Sequence, residues 1–147
     1  MTPETLTDWR HIPAVPTTAF KELEFTSLAL VERTTVFHSS GTTAHRPSRH
    51  FHSAESLALY EASLRPWFAR HVLPERHNTD GQITFLNLAP PPAQAPHSSL
   101  VHMFDCVQRT FGTPDSRFLA QCGADGAWQL DVATTLAALH NAATRGE

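Results

Sequence analysis

The residues best suited to bind a ligand are small hydroxyl side chains grouped around a single glycine. They read Ser39, Ser40, Gly41, Thr42 and Thr43, directly after an apolar segment. Glycine adopts positive φ without a Cβ clash, so the backbone can curl at Gly41 and direct successive N–H groups at an anion. The hydroxyls add neutral hydrogen-bond donors. This pattern predicts a loop that holds phosphate groups.

The segment differs from the two familiar glycine-rich nucleotide motifs. GxxxxGK[ST] needs a second glycine followed by lysine, and GxGxxG needs three glycines; neither pattern surrounds Gly41. A Ser/Thr/Gly cluster taken alone is also ordinary turn material. The prediction of phosphate binding therefore depends on the segments around this one.

The segment resembles the phosphate loop of adenylate-forming enzymes, usually written [ST]-S-G-T-T-G-x-P-K. The match covers residues 39–43, whereas Ala44 replaces the second glycine, one extra residue precedes Pro47, and Ser48 replaces the lysine. On this resemblance the ATP-binding candidates are Ser39, Ser40, Gly41, Thr42, Thr43 and Ser48.

Two further segments narrow the resemblance to LuxE-type acyl-protein synthetases. Residues 12–23 are similar to their P-x-x-P-x-x-x-F-K entry segment, and residues 95–103 to their A-x-x-S-S-L-x-x-M segment. These enzymes activate a fatty acid with ATP to an acyl-adenylate and pass the acyl group to a cysteine, in the pathway that makes aldehyde for bioluminescence. The resemblance implies ATP and Mg²⁺ as cofactors, and a fatty acid or other carboxylate as substrate.

The length of the chain limits what this resemblance implies. The family's synthetases are more than twice as long as these 147 residues, and neither Cys106 nor Cys122 matches their acyl-accepting cysteine. We expect one partial adenylating domain, with a flexible N-terminus at 1–12, the region of resemblance at 13–128, and a C-terminal helix and tail at 129–147. Whether it is an enzyme stays open, because a non-catalytic half-domain that binds a complementary chain and an inactive truncated relic are the alternatives.

Composition favours a globular protein over several other classes. The sequence is 41% hydrophobic and 17% charged, with a formal net charge of −3, so it can form a core and is not a basic nucleic-acid binder. No apolar run approaches the roughly 18–20 residues that cross a bilayer, and the first residues lack the features of a secretory signal. We therefore expect no membrane span, a cytoplasmic location, and two reduced cysteines.

Residue patterns predict an α/β fold, a layered sheet with flanking helices. The predicted elements are helix 17–23, strands 33–38 and 48–51, helix 53–71 kinked at Pro66, strand 83–88, helix 98–111, strand 117–121 and helix 132–143. The phosphate loop then lies between two strands. The last helix should turn Leu136, Leu139 and His140 inward. Because the family continues with another buried strand, a sheet edge or helix face should stay uncovered, which favours a partner chain or self-association.

The ten histidines raise the question of a metal site. His50 and His52 should point to one face of a strand, close to His45. Structural zinc needs four ligands and catalytic zinc three with a water, and no acidic or cysteine partner lies nearby at a recognisable interval. We therefore predict no metal site, and interpret these histidines as solvent-facing groups beside an anion loop.

Overall fold

The structure is a computed structural model that describes residues 7–39, 47–74 and 81–145. These residues form four α-helices and three sheets of two strands each, so the fold is mixed α/β. The predicted class is confirmed at this level, but three small sheets stand in place of one layered sheet. The elements are α1 (Ala19–Glu22), β1 (Thr35–His38), β2 (Arg49–His52), α2 (Ala54–His71), β3 (Leu86–Asn87), α3 (Ser99–Phe111), β4 (Arg117–Phe118), β5 (Ala120–Cys122), β6 (Trp128–Leu130) and α4 (Val132–Arg145).

Strands β1 and β2 form the antiparallel hairpin that the sequence predicts around the phosphate loop. Their β-branched and aromatic residues pair from Thr35 opposite His52 to His38 opposite Arg49. The N-terminal segment is tied to this hairpin through Glu24, whose carboxylate lies 2.7 Å from Nη1 of Arg49. Because β1 and β2 are paired, the two ends of the predicted loop lie close together.

Helices α2 and α3 begin at the predicted caps. Ser53 Oγ accepts a hydrogen bond from the Ser56 N–H at 3.1 Å, and Ser56 Oγ accepts one from the Ser53 N–H at 3.0 Å. This reciprocal arrangement satisfies two backbone donors at the helix start. Ser98 Oγ likewise accepts from the Val101 N–H at 3.3 Å. Helix α2 continues through Pro66 to His71.

The core is centred on α3. Helical spacing predicts that Val101, Phe104 and Val107 face inward. Val101 and Val107 are at most 1% exposed, as is Cys106, whereas Phe104 is only partly buried. Helix α3 packs against α2, where the carboxylate of Glu61 accepts a hydrogen bond from His102 Nε2 at 3.1 Å. Burial of these apolar side chains supplies the main driving force for this packing.

Helix α1 differs from its prediction at both ends. The N-cap residue is Thr18 instead of Thr17, and it makes no side-chain cap bond. Helical spacing predicts that Phe20 and Leu23 both face inward. Phe20 packs on Phe25, with ring centroids 5.4 Å apart, but Leu23 is exposed, so its predicted inward position is wrong. A helix of four residues is too short to present two side chains of this spacing to one neighbour.

The strand predicted at 83–88 is mostly irregular. Only Leu86–Asn87 pairs, in parallel with β4, and Ile83 forms an isolated bridge with Gly112. A nearly continuous apolar run predicts a strand that is buried on both faces. That expectation is wrong because Leu88 is exposed and the buried residue is polar: Asn87 Nδ2 donates to Gln108 Oε1 at 2.6 Å. Hydrogen bonds to side chains replace part of the backbone ladder, which shortens the strand.

Helix α4 begins at the predicted cap but turns the opposite face inward. Asp131 Oδ1 accepts from the Thr134 N–H at 2.9 Å. Thr135 and Ala138 are buried, while Leu136 is 62% and Leu139 51% exposed. His140 is also exposed, so the predicted inward stripe is wrong. The larger apolar residues of this helix therefore face solvent.

Candidate functional site

The two ends of the predicted phosphate loop are held together at its base. The Ser39 N–H donates to the Ser48 carbonyl at 3.1 Å, and the Ser48 N–H donates to Ser39 Oγ at 2.9 Å. Ser48 is buried, and its hydroxyl lies 3.1 Å from His50 Nε2. The structure thus brings Ser39 and Ser48 together. The other predicted site residues, Ser40, Gly41, Thr42 and Thr43, lie outside the described residues.

A cleft of about 960 Å³ opens beside this base. One wall comes from the end of the β1–β2 hairpin, with His38, Ser39 and Pro47. A second wall is the segment 94–100, which precedes and begins α3. The third is the β5–β6 hairpin, where Trp128 faces the cleft. Three parts of the chain that are distant in sequence therefore enclose one space.

His38 and His97 join the first two walls. The His38 N–H donates to the His97 carbonyl at 2.8 Å, and the two imidazoles stack with centroids 4.5 Å apart and planes inclined by 23°. His97 Nδ1 lies 3.0 Å from the Val36 carbonyl. Because a carbonyl only accepts, Nδ1 carries a proton in this contact.

Sequence reasoning missed this pair of histidines. The only signal was their position, since His38 lies just before the phosphate loop and His97 lies within the segment 95–103. Nothing in the pattern shows that the two segments touch. The structure shows that they do, through a backbone hydrogen bond and a ring contact.

The surroundings of His38 lower the pKa of its imidazole. Partial burial is the main cause, and the positive charges of His97 and Arg49 add to it. The pKa of His52 is lowered as well, first by burial and then by His50 and His102. Both rings are therefore mainly neutral near pH 7.

These lowered pKa values predict that acid destabilises the fold. In the unfolded chain a histidine titrates near pH ~6.5, so at lower pH the unfolded state binds more protons than the folded state. The stability is fully present above that pH and is lost as the pH falls toward the folded-state pKa. We expect the melting temperature to drop between pH 7.5 and 5.5, and to drop less in His38→Gln.

Thermal melts across this pH range would check the expectation. The matched control is His140→Gln, because His140 is exposed on α4 and should leave the slope unchanged. Equal slopes for His38→Gln and the unmodified chain would contradict the assignment.

The third wall is fixed to the second through Cys122. Its N–H donates to Gln94 Oε1 at 2.9 Å, and its thiol lies 3.3 Å from the Gln94 carbonyl. Among the described residues that line the cleft, none is lysine, arginine, aspartate or glutamate. The cleft is therefore suited to an uncharged part of a ligand, with the loop base at one end.

The histidines of β2 do not gather further ligands. His50 is directed to Ser48, and His52 Nδ1 lies 3.3 Å from Ser56 Oγ. Within 7–39, 47–74 and 81–145, no three His, Cys, Asp or Glu side chains are grouped so that they can hold a metal ion.

Comparison with protein-family models, with curated proteins and with solved structures gives no match to this chain. In the part of the chain that the structure describes, no helix combines the length and apolar character needed to cross a bilayer. The class defined by the coordinates is a mixed α/β fold with a cleft beside a hairpin loop.

Proposed function

We propose that this chain is the N-terminal portion of a LuxE-type adenylate-forming domain, which binds Mg-ATP at residues 39–43 and activates a carboxylate. The observation that carries the proposal is the contact between two of the segments that resemble the family. The loop that begins at Ser39 and the segment 95–103 meet at one cleft, joined by His38 and His97. Segments that serve one site must converge in space, and these two do.

The described residues fit a phosphate-binding role at the loop base. Ser39 and Ser48 hydrogen-bond to each other and so hold the two ends of the loop together. No carboxylate among the described lining residues would repel phosphate. ATP supplies the adenylyl group, and Mg²⁺ offsets the phosphate charge. The chain contributes positioning and hydrogen bonds instead of proton transfer.

The first test is Mg-ATP binding by the purified chain and by single variants Ser40→Ala and Thr42→Ala. A hydrogen bond to a charged group contributes about 1.5–3 kcal/mol, so each variant should bind roughly tenfold or more weakly, by the usual conversion of 1.4 kcal/mol per decade. Calorimetric titration measures the affinity. Carboxylate-dependent exchange between ATP and pyrophosphate measures activation.

Ser63→Ala is the matched control, because Ser63 is exposed on α2 and its hydroxyl donates to the Tyr60 carbonyl at 2.8 Å. It should bind Mg-ATP like the unmodified chain. A chain that melts cooperatively but binds no Mg-ATP would overturn the proposal and favour the inactive relic.

The second candidate function is a non-catalytic half-domain that binds a complementary chain. The exposed apolar face of α4 favours it: Val132, Leu136 and Leu139 recur at helical spacing and are each more than half exposed. Trp128 and Leu130 on β6 are also partly exposed apolar side chains. A gene next to this one that begins with the downstream family motifs would supply the partner, and co-expression should then yield a stable complex that binds ATP when neither chain does alone.

A further inference from the structure

Flat rings from two separate parts of the chain line the cleft. The stacked imidazoles of His38 and His97 lie at the hairpin side. The indole of Trp128 lies at the β6 side and is 44% exposed. Pro47 and Pro96 add rigid apolar surfaces. Aromatic faces bind planar rings by offset stacking, and they do so with little loss of side-chain freedom.

The polar groups of the cleft are placed to meet the edge of a ligand. Ser39 Oγ already accepts the Ser48 N–H at 2.9 Å, so its own hydroxyl proton is available to a ligand oxygen. His97 uses Nδ1 on the Val36 carbonyl, which leaves Nε2 available. Ser39 lies at the end of the cleft nearest the phosphate loop, where a carboxylate must be placed for activation.

The same lining mixes apolar with polar side chains. Leu100 and Trp128 are the only large apolar side chains among the described lining residues, and the neighbouring Gln94 and Ser99 are polar. An alkyl chain that covered those groups would remove their water and return no hydrogen bonds, which is unfavourable. A planar ring makes contact through its faces and leaves polar edges open.

We propose that the cleft binds a planar aromatic carboxylic acid, with its ring against Trp128 and the His38–His97 stack and its carboxylate at Ser39. This inference rests on the proposed function in one respect, since it names the class of acid to be activated. The binding itself needs no nucleotide. The proposed ligand, a planar aromatic acid, differs from the fatty acid that the family resemblance implies as the substrate.

The test is calorimetric titration of the full chain with 2-naphthoate, without nucleotide. Decanoate is the alkyl control, and benzoate against cyclohexanecarboxylate compares a planar with a non-planar ring. We expect 2-naphthoate to bind about tenfold more tightly than decanoate, and benzoate more tightly than cyclohexanecarboxylate. Trp128→Leu should weaken 2-naphthoate binding about tenfold, because leucine keeps the apolar contact but removes the stacking face.

Trp67→Leu is the matched control, since Trp67 is an exposed tryptophan on α2 and should not change the affinity. Should Trp128→Leu fail to fold, ring-current shifts of the His38 and His97 imidazole signals in the unmodified chain report the same contact. Absence of 2-naphthoate binding, or equal binding of decanoate, would overturn the inference.

The two proposals fail separately. Exchange of pyrophosphate with decanoate but not with aromatic acids would leave adenylation standing and overturn the aromatic site. Binding of 2-naphthoate that depends on Trp128, without any exchange, would support the aromatic site and refute adenylation by this chain.

Discussion

Replacing Phe37 by alanine is expected to lower the free energy of unfolding by about 3–5 kcal/mol. Phe37 is only 4% exposed, and its ring lies 5.2 Å from the His52 ring and 5.3 Å from the His102 ring. Alanine would leave a cavity between the β1–β2 hairpin and α3, which the flanking imidazoles cannot fill without losing their own hydrogen bonds. Urea unfolding followed by circular dichroism measures the loss.

A domain of this size is stabilised by about 5–15 kcal/mol, so this variant should lie close to unfolding at 25 °C. The matched control is Phe25→Ala, because Phe25 is 42% exposed and packs mainly on Phe20. Its loss should be about 1 kcal/mol. Similar losses at the two positions would show that the hairpin is not anchored through Phe37.

The features predicted correctly from sequence are those determined by nearby residues. The cap at Ser53 depends on Ser56, and the cap at Asp131 depends on Thr134, each three positions away. The β1–β2 hairpin follows from two short β-branched or aromatic segments separated by a polar loop. Local hydrogen bonds of this kind require no knowledge of the rest of the fold.

The errors concern contacts between distant segments. Strand 83–88 looks continuously apolar in sequence, but Phe85 bonds to the Ser116 side chain and Asn87 to Gln108. The predicted orientation of α4 is wrong because both faces of the helix carry small or apolar residues. Periodicity therefore cannot decide which face is buried. Such choices depend on which neighbours are present.

The candidate site shows the same division. Ser39 and Ser48 were predicted from the loop pattern, and the structure places them in contact. The cleft beside them depends on Trp128 and on the pairing of His38 with His97. These residues are separated by many positions in sequence, and no local spacing relates them. Sequence thus named two residues that border the cleft, whereas the remaining walls follow from tertiary structure.

The exposed face of α4 separates the two candidate functions. If the chain acts alone, Leu136 and Leu139 remain in contact with water, and self-association is expected at high concentration. If a complementary chain binds, that face is where apolar burial would favour association. Trp128 on β6 lines the cleft. A partner that covered α4 and β6 would therefore also affect ligand binding.

Gly112→Ala is expected to destabilise the fold by about 2–3 kcal/mol, as overpacking does in a site that cannot relax. Gly112 ends α3 in an extended conformation, and a Cβ at this position would clash with the Gln108 carbonyl oxygen. It would also lie 3.0 Å from Ser116 Oγ. Urea unfolding measures the change.

Neither obstacle near Gly112 can move cheaply. The Gln108 carbonyl is backbone and accepts the Gly112 N–H at 2.8 Å, the last bond of α3. Ser116 Oγ accepts the Phe85 N–H at 3.0 Å. Gly126→Ala is the control, because Gly126 has φ of 78° but open space around a Cβ, so only backbone strain of roughly 1 kcal/mol applies. If the loss of stability at Gly112 is no larger than at Gly126, the junction between α3 and β4 relaxes. The close approach there would then not require glycine at position 112.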